Sequence, residues 1–204
     1  MPTRSGRIAL GGGIGARGTL QAVADDQFDV LALVTARLEA ARIPYMVSGS
    51  LAMSYYAQPR MTRDIDIVVD LNEQDVERVA STFSQDFYCD PAAVRRAVNE
   101  RRTVNLIHLR SLVKVDLIVR KDTEYRRLEF ERRQAVDIAG ARLSIVTAED
   151  LLLSKLAWAK AGGSELQLRD ARNLVASVPT LDWPYLRRWA PTLSVTAFLE
   201  GLAS

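Results

Sequence analysis

The 204-residue chain contains one histidine, His108, and one cysteine, Cys89. A single chain therefore supplies too few ligands for a four-coordinate Cys/His zinc site, and it cannot form an internal disulfide. Any histidine-dependent catalysis would have to use His108. The chain has 25 Asp and Glu residues and a net charge of only +2, so carboxylates with a hard metal ion are the expected carriers of chemistry, and net charge alone gives no argument for nucleic-acid binding.

The rest of the composition is that of an ordinary globular protein, with 48% hydrophobic and 25% charged residues. No apolar run reaches the roughly 18 residues of a membrane-spanning helix, and the first residues lack the apolar stretch of a signal peptide. A cytoplasmic protein with no membrane partner is therefore expected. Arginine outnumbers lysine by 23 to 4, which reflects genomic base composition or a need for planar contacts to phosphate.

Hydrophobic periodicity and capping signals predict the secondary structure along the chain. The predicted elements, in chain order, are an irregular arm over 1–24, a helix from 28 to 43, a strand at 45–47, a helix at 49–57, a strand at 65–71, helices at 73–83 and 92–99, a hairpin of strands 104–109 and 112–119, strands at 131–138 and 142–146, and helices at 147–161, 165–176 and 183–204. This order predicts an α/β (α+β) fold, with a mixed-sheet domain over 25–146 and a helical C-terminal lobe over 147–204.

A short apolar strand runs into Gly49-Ser50, where the next helix begins. Glycine at a strand-to-helix turn lets the backbone approach a ligand closely. The free N–H groups and positive dipole end of the helix then favour a phosphate, and the Ser50 hydroxyl adds a donor. Gly49 and Ser50 are therefore candidate phosphate-binding residues.

Three aspartates are candidate metal ligands. Asp64 and Asp66 stand two residues apart on one strand, so they face the same side with Cα atoms about 7 Å apart. Asp116 lies in the middle of an apolar strand, where a carboxylate is costly unless it is paired or binds a metal. If the two strands are neighbours, the three acids converge as in a two-metal phosphoryl-transfer site.

These motifs resemble the DNA polymerase β nucleotidyltransferase superfamily. The resemblance lies in Gly49-Ser50, a 13-residue spacer, Asp64-Ile65-Asp66 and the later Asp116. The segment 60–64, Arg-Met-Thr-Arg-Asp, is similar to the residues that precede the acid pair in small bacterial branches. The segments 147–155 and 168–174 resemble the helical region of AbiEii/MenT-type nucleotidyltransferases. A second acid often found three residues after Asp170 is Asn173 here.

The resemblance implies a nucleotidyltransferase that moves a nucleoside monophosphate from an NTP to an acceptor, with Mg²⁺ (or Mn²⁺) as cofactor. Asp64, Asp66 and Asp116 would hold the metal ions, and Asp116 would help to activate the acceptor oxygen. The phosphate and nucleotide contacts would come from Gly49, Ser50, Arg60, Thr62 and Arg63, and the C-terminal lobe would complete the site with Lys155 and Asp170.

The sequence leaves several candidates for the acceptor of the nucleotide. An RNA, in particular a tRNA 3′ end, is favoured, in a toxin or phage-defence enzyme with a small cognate antitoxin. An antibiotic-modifying enzyme or a non-catalytic antitoxin-like or regulatory protein on the same fold are the alternatives. An acidic pocket would suit a cationic aminoglycoside, whereas an arginine-lined cleft would suit RNA. His108 is expected to be structural, and Trp158, Trp183 and Trp189 are expected in the core.

Overall fold

The computed structural model describes residues 15–58, 62, 64–138 and 140–203. The α-helices of this part are α1 (Gly15–Ala40), α2 (Gly49–Tyr56), α3 (Val76–Phe83), α4 (Pro91–Glu100), α5 (Glu124–Glu131), α6 (Ala148–Gly162), α7 (Glu165–Ser177), α8 (Trp183–Trp189) and α9 (Thr196–Glu200), with a short 3-10 turn at Glu73–Asp75. The strands are β1 (Tyr45–Val47), β2 (Asp64–Val69), β3 (Phe87–Tyr88), β4 (Thr103–His108), β5 (Lys114–Val119), β6 (Gln134–Ile138) and β7 (Ala141–Ile145).

The strands form one mixed sheet in the order β3-β4-β5-β2-β1-β7-β6. Strand β2 is parallel to β5 and β1 is parallel to β7, whereas the remaining neighbours are antiparallel. The predicted α/β fold with a mixed sheet and C-terminal helices is confirmed. No helix in these described ranges is both long and apolar enough to cross a membrane.

The two faces of the sheet pack into different clusters because side chains alternate along each strand. Ile65 and Ile67 of β2 join Val115 and Leu117 of β5 in a core covered by α1, α3 and α4. The other face packs into a second cluster built from α2 and the C-terminal helices. This second cluster joins residues from both sides of the predicted boundary at residue 146, and the domain limits stay a prediction.

Several elements differ from the sequence-based expectation. Helix α1 begins at Gly15, so the predicted irregular arm is wrong for 15–24. Small residues in this segment, such as Ala22 and Ala24, favour a helix. Residues 1–14 of the predicted arm lie outside the described residues. Helix α5 was not predicted, because its buried face includes the charged Glu129 and so breaks the apolar period. The predicted helix over 183–204 is two helices, separated near Ser194, which has a left-handed φ of 56°.

A buried carboxylate fastens the start of α6 to its neighbours. Asp150 is fully buried. It accepts hydrogen bonds from the hydroxyls of Tyr125 and Tyr185 at 3.1 and 2.6 Å and an ion-paired bond from Arg132 Nε at 3.0 Å. The Thr147 hydroxyl donates to Asp150 at 2.7 Å and caps the helix by accepting from its backbone N–H. Because Tyr125 and Arg132 come from α5 and its end and Tyr185 from α8, this group fixes the first turn of α6 against those two helices.

We expect Asp150→Ala to lower the free energy of unfolding by about 3 kcal/mol, because buried donors and one charge lose their partner. Urea denaturation monitored by circular dichroism measures this change. Asp122→Ala, which removes a carboxylate from an exposed pair with Arg127, should leave the unfolding midpoint near that of the wild type. Equal midpoints for Asp150→Ala and the wild type would contradict the structural role.

Candidate active site

The pairing of β2 with β5 brings the predicted acids together. In the parallel register Asp66 lies opposite Asp116 and Asp64 lies opposite Lys114. Since Ile65 and Val115 between them face the first core, the acids face the opposite side, toward α2 and α6. The convergence expected from the sequence is therefore present as a pair of aspartates on adjacent strands, with Asp64 one step further toward the strand starts.

Gly49 is required where it stands. It has a φ of +62°, and a Cβ atom there would lie 1.9 Å from Asp66 Oδ2, so any side chain would displace that carboxylate. The Ser48 N–H donates to the Asp66 carbonyl at 2.9 Å, which holds the turn against β2. The first turn of α2 and the buried Ser50 therefore lie directly beside Asp66, as an anion-binding helix start would.

A cavity of about 160 Å³ opens over these groups. It is lined by Ser48, Gly49, Ser50, Asp66, Ile118, Leu151, Ser154, Lys155, Trp158 and Gln167. Lys155 of α6 reaches it as a buried ammonium, held by Asp170 of α7 at 2.8 Å. The predicted Gly49, Ser50, Asp66 and Lys155 thus share one cavity, and Asp170 supports it through the lysine. The cavity offers both a carboxylate and a cation, the pair that a metal–triphosphate complex requires.

Charge is crowded around Asp66. Burial, and next the nearby Asp116 carboxylate, raise the pKa of Asp66 above its ordinary value, and Lys155 opposes this rise. Asp116 is the closest partner of the Lys114 ammonium, at 2.9 Å, with Asp64 at 3.9 Å. The hydrogen bond to Asp116 raises the pKa of Lys114, so this lysine stays charged. Two lysines therefore offset the charge of the acids: Lys114 contacts Asp116 and Asp64, and Lys155 opposes the rise in the pKa of Asp66.

Two observations bear on a metal ion here. Asp116 Oδ1 is buried and has no hydrogen-bond partner. Asp116 is also the strand partner of Asp66, so two carboxylates lie close together and offer the hard oxygen ligands that Mg²⁺ prefers. Within the described ranges, however, no group of three Asp, Glu, His or Cys side chains is already arranged around one ion. The residues fit a divalent cation by their chemistry, and the roles of Asp64, Asp66 and Asp116 as ligands stay predictions.

The remaining predicted residues are placed less centrally. Thr62 donates its hydroxyl to the Asp64 carbonyl at 3.3 Å, which shapes the entry to β2. Arg60 and Arg63 lie outside the described residues, so their predicted phosphate contacts are untested. Asn173, the departure from the resemblance, is exposed on α7, so the acid that it replaces would have pointed away from the cavity.

A second cavity of about 300 Å³ adjoins the first and shares Ser48, Ile118, Ser154 and Trp158 with it. Its other lining residues are Val68, Val119, Arg120, Lys121, Arg126, Glu129, Ala157 and Ala161. The one carboxylate among them, Glu129, is neutralised by Arg126 at 2.7 Å and accepts from Ser154 at 2.9 Å. Arg120 is likewise paired, with Asp70 at 2.9 Å, so Lys121 supplies the remaining positive charge among these described lining residues.

The tryptophans are only partly where the sequence suggested. Trp158 is 61% exposed, so its predicted place in the core is wrong, while Trp189 is buried as predicted. Of the many arginines, Arg126 lines the second cavity, whereas Arg95 binds Glu73 and Glu77 on the surface.

His108 is one residue beyond the β4 position paired with Lys114. Its ring contacts Phe87, with 5.1 Å between centroids, and its Nδ1 lies 2.8 Å from the Ser111 hydroxyl. Because alternate residues of a strand face opposite sides, the His108 side chain extends from the face of the sheet opposite to the acids.

Sequence reasoning missed several residues of the site. Lys114 was visible as the residue two before Asp116, which shares its side of the strand, but the apolar strand pattern drew attention to the aspartate alone. Gln167 has a buried Oε1 with no hydrogen-bond partner and lines the first cavity. Ser154 and Trp158 share a helix with Lys155, and only the packing of α6 shows which of its faces meets the sheet.

Comparisons with known proteins agree with this geometry at the level of the fold. The chain is similar to the structure of an antigenic nucleotidyltransferase-like protein from Paracoccidioides brasiliensis, with 17% identity over 84% of this chain and 91% of that one and a TM-score of 0.54. It is also similar to the antibiotic-resistance factor ANT(2'')-Ia, with 14% identity over 87% and 96% of the two chains and a TM-score of 0.54. No family model matches the sequence, and no curated protein matches it either. The chain therefore has the nucleotidyltransferase fold.

We expect Asp66→Asn to raise the melting temperature of the metal-free protein at pH 7. A folded-state pKa above the unfolded one adds stability at low pH that is lost as pH rises through the folded pKa, so the charged Asp66 destabilises the fold at neutral pH. The gain should vanish below the ordinary aspartate pKa of 3.8. Differential scanning fluorimetry across this pH range in EDTA measures it.

Asp70→Asn is the matched control, because Asp70 follows the same strand but pairs with Arg120 at 2.9 Å outside the cavity. This variant should show no rise at pH 7. A melting temperature of Asp66→Asn that is equal to or below that of the wild type at pH 7 would refute the electrostatic assignment.

Proposed function

We propose that this protein is a Mg²⁺-dependent nucleotidyltransferase that transfers a nucleoside monophosphate from an NTP to an acceptor. The observation that carries the proposal is the pairing of Asp66 with Asp116 beside the glycine turn of α2 and the buried Lys155. A structural role would not explain two adjacent carboxylates, one with a partnerless buried oxygen, at a cost in stability.

The residues divide the work by their charge. Asp64, Asp66 and Asp116 would hold the metal, which when bound neutralises the triphosphate and polarises its phosphoryl oxygens. The first N–H groups of α2 and the Ser50 hydroxyl would bind the terminal phosphates. Lys155, aligned by Asp170, would offset the charge that develops on the leaving group.

The transfer step follows from this placement. The acceptor oxygen forms a new bond to the α-phosphorus while the bond between the α-phosphorus and the bridging oxygen breaks, and pyrophosphate leaves. The proton of the acceptor hydroxyl would pass to the Asp116 carboxylate, the role that the resemblance implies for this residue. Neither His108 nor Cys89 is needed, because a carboxylate accepts the proton, and the metal and the lysines offset the phosphate charge.

The second cavity supports an anionic acceptor, and RNA is the class that we favour. Among the described residues that line it, the one carboxylate is already paired, Lys121 adds a positive charge, and the exposed Trp158 lines both cavities. An exposed aromatic ring beside a cation is an arrangement that binds single-stranded nucleic acid, with bases stacked on the ring and phosphates neutralised. A polycationic antibiotic would meet no unpaired carboxylate among these described lining residues.

The finer assignment is also a proposal. The helical-region motif with Lys155 and Asp170 supports placement near the AbiEii/MenT-type enzymes, hence a toxin or phage-defence role, with a tRNA end as acceptor and a small cognate antitoxin as partner. The alternatives are antibiotic modification, which would suit the similarity to the antibiotic-resistance factor ANT(2'')-Ia, and a non-catalytic regulatory role, and the following assay separates them.

The function is tested by incubating the protein with each α-labelled NTP, Mg²⁺ and total RNA. We expect label on RNA with the wild type, and a loss on the order of a thousandfold with the double variant Asp64→Ala/Asp66→Ala, since metal stabilisation of the transition state is worth several kcal/mol. Parallel reactions with aminoglycosides test the antibiotic alternative. If no NTP binds at millimolar Mg²⁺, the non-catalytic alternative replaces the enzyme.

The acceptor site is tested by Trp158→Ala. Loss of a stacked base costs about 1–3 kcal/mol, so KM for the RNA acceptor should rise about tenfold or more, and by more than KM for the NTP, whose cavity Trp158 also lines. Trp158→Phe should restore most of the affinity. Tyr88→Ala is the matched control, because this ring is 62% exposed but lies on the edge strand β3. Equal RNA affinities for Trp158→Ala and the wild type would place the acceptor elsewhere.

A further inference from the structure

Lys114 occupies an unusual position for a cation in this site. Its ammonium lies 2.9 Å from Asp116 Oδ2 and 3.9 Å from Asp64 Oδ2. The register of β2 and β5 fixes this position, because Lys114 pairs with Asp64 and precedes Asp116 by two residues on the same face. The lysine therefore stands between two of the three carboxylates proposed to bind the metal.

The Lys114 ammonium reduces the repulsion between the carboxylates of the metal-free protein. Three carboxylates on adjacent strands repel one another, and the repulsion is strong because Asp116 is only 17% exposed and lies in a medium of reduced dielectric constant. One positive charge between Asp64 and Asp116 lowers this repulsion. It also occupies Asp116 Oδ2, an oxygen that a metal ion would otherwise contact.

We propose that Lys114 is an internal counter-ion that competes with the divalent cation for Asp64 and Asp116 and so sets the metal affinity of the site; this inference rests on the proposed function. The metal displaces the ammonium from the carboxylates. The Lys114 side chain is 38% exposed, so it leaves toward solvent without any repacking of the core. Lys114 is a positioning residue, since it acts on the metal through the acids.

The test is Mn²⁺ binding to Lys114→Met, measured by electron paramagnetic resonance of free Mn²⁺ without nucleotide. Methionine keeps most of the length of the unbranched side chain and removes its charge. The variant should bind Mn²⁺ about tenfold more tightly than the wild type, because an ammonium that withdraws into water opposes the ion with only the weak, solvent-screened interaction of a unit charge. In EDTA it should melt at a lower temperature than the wild type, and saturating Mn²⁺ should raise its melting temperature by more.

Three further variants make the result specific. Lys114→Arg keeps the charge and should bind Mn²⁺ as the wild type does. Lys160→Met removes an exposed charge from the last turn of α6 and should also leave the affinity unchanged. Asp116→Asn should abolish tight binding and thereby show that the measured site is this one.

The outcomes separate this inference from the function on which it rests. Nucleotidyl transfer by the wild type together with equal or weaker Mn²⁺ binding by Lys114→Met would overturn the role of Lys114 alone. Absence of Mn²⁺ binding in both proteins, with no transfer, would overturn the metal site and the competition together.

Discussion

The parallel pairing of β2 and β5 is the constraint on which the rest of the site depends. It places Asp66 directly opposite Asp116, and two carboxylates on neighbouring strands repel unless a cation lies close to both. Two lysines from different elements supply the positive charge, Lys114 from the sheet and Lys155 from α6. The apolar residues that alternate with the acids pack into the opposite core, so the strands cannot shift by one residue to relieve the repulsion without burying the acids.

The C-terminal helices matter because they position the second of these lysines. Lys155 is buried and joined to Asp170, so its ammonium has one defined place. That place depends on the position of α6, whose first turn is fixed through Asp150 to α5 and α8. One turn further along, Ser154 donates to Glu129 of α5 and lines both cavities. Buried polar contacts, which add little net stability when complete, thus give the site its geometry.

The sequence predicted the sheet side of the site better than the helical side. Strand residues two apart share a face, and a glycine at a strand end has few other uses, so Gly49, Asp66 and Asp116 were readable from spacing. The rest depended on packing. Trp158 has the spacing of a core residue but is exposed, since the direction in which α6 faces the sheet is a tertiary property. Helix α5 escaped prediction because Glu129, a buried charge, interrupts its apolar pattern.

The same physics explains why this arrangement indicates function and not chance. Burial and Asp116 raise the pKa of Asp66, so the folded protein holds this carboxylate against a free-energy cost that an asparagine would avoid. Gly49 is a second constraint, because a Cβ atom there would lie 1.9 Å from Asp66 Oδ2 and a residue with a side chain would be strained in its left-handed backbone. Both features meet at the Asp66 carboxylate, in a cavity that the buried Lys155 also lines. Like charges held beside an accessible helix start are what a site for a metal and a polyphosphate would require, since bound cations remove the repulsion that the empty site must tolerate.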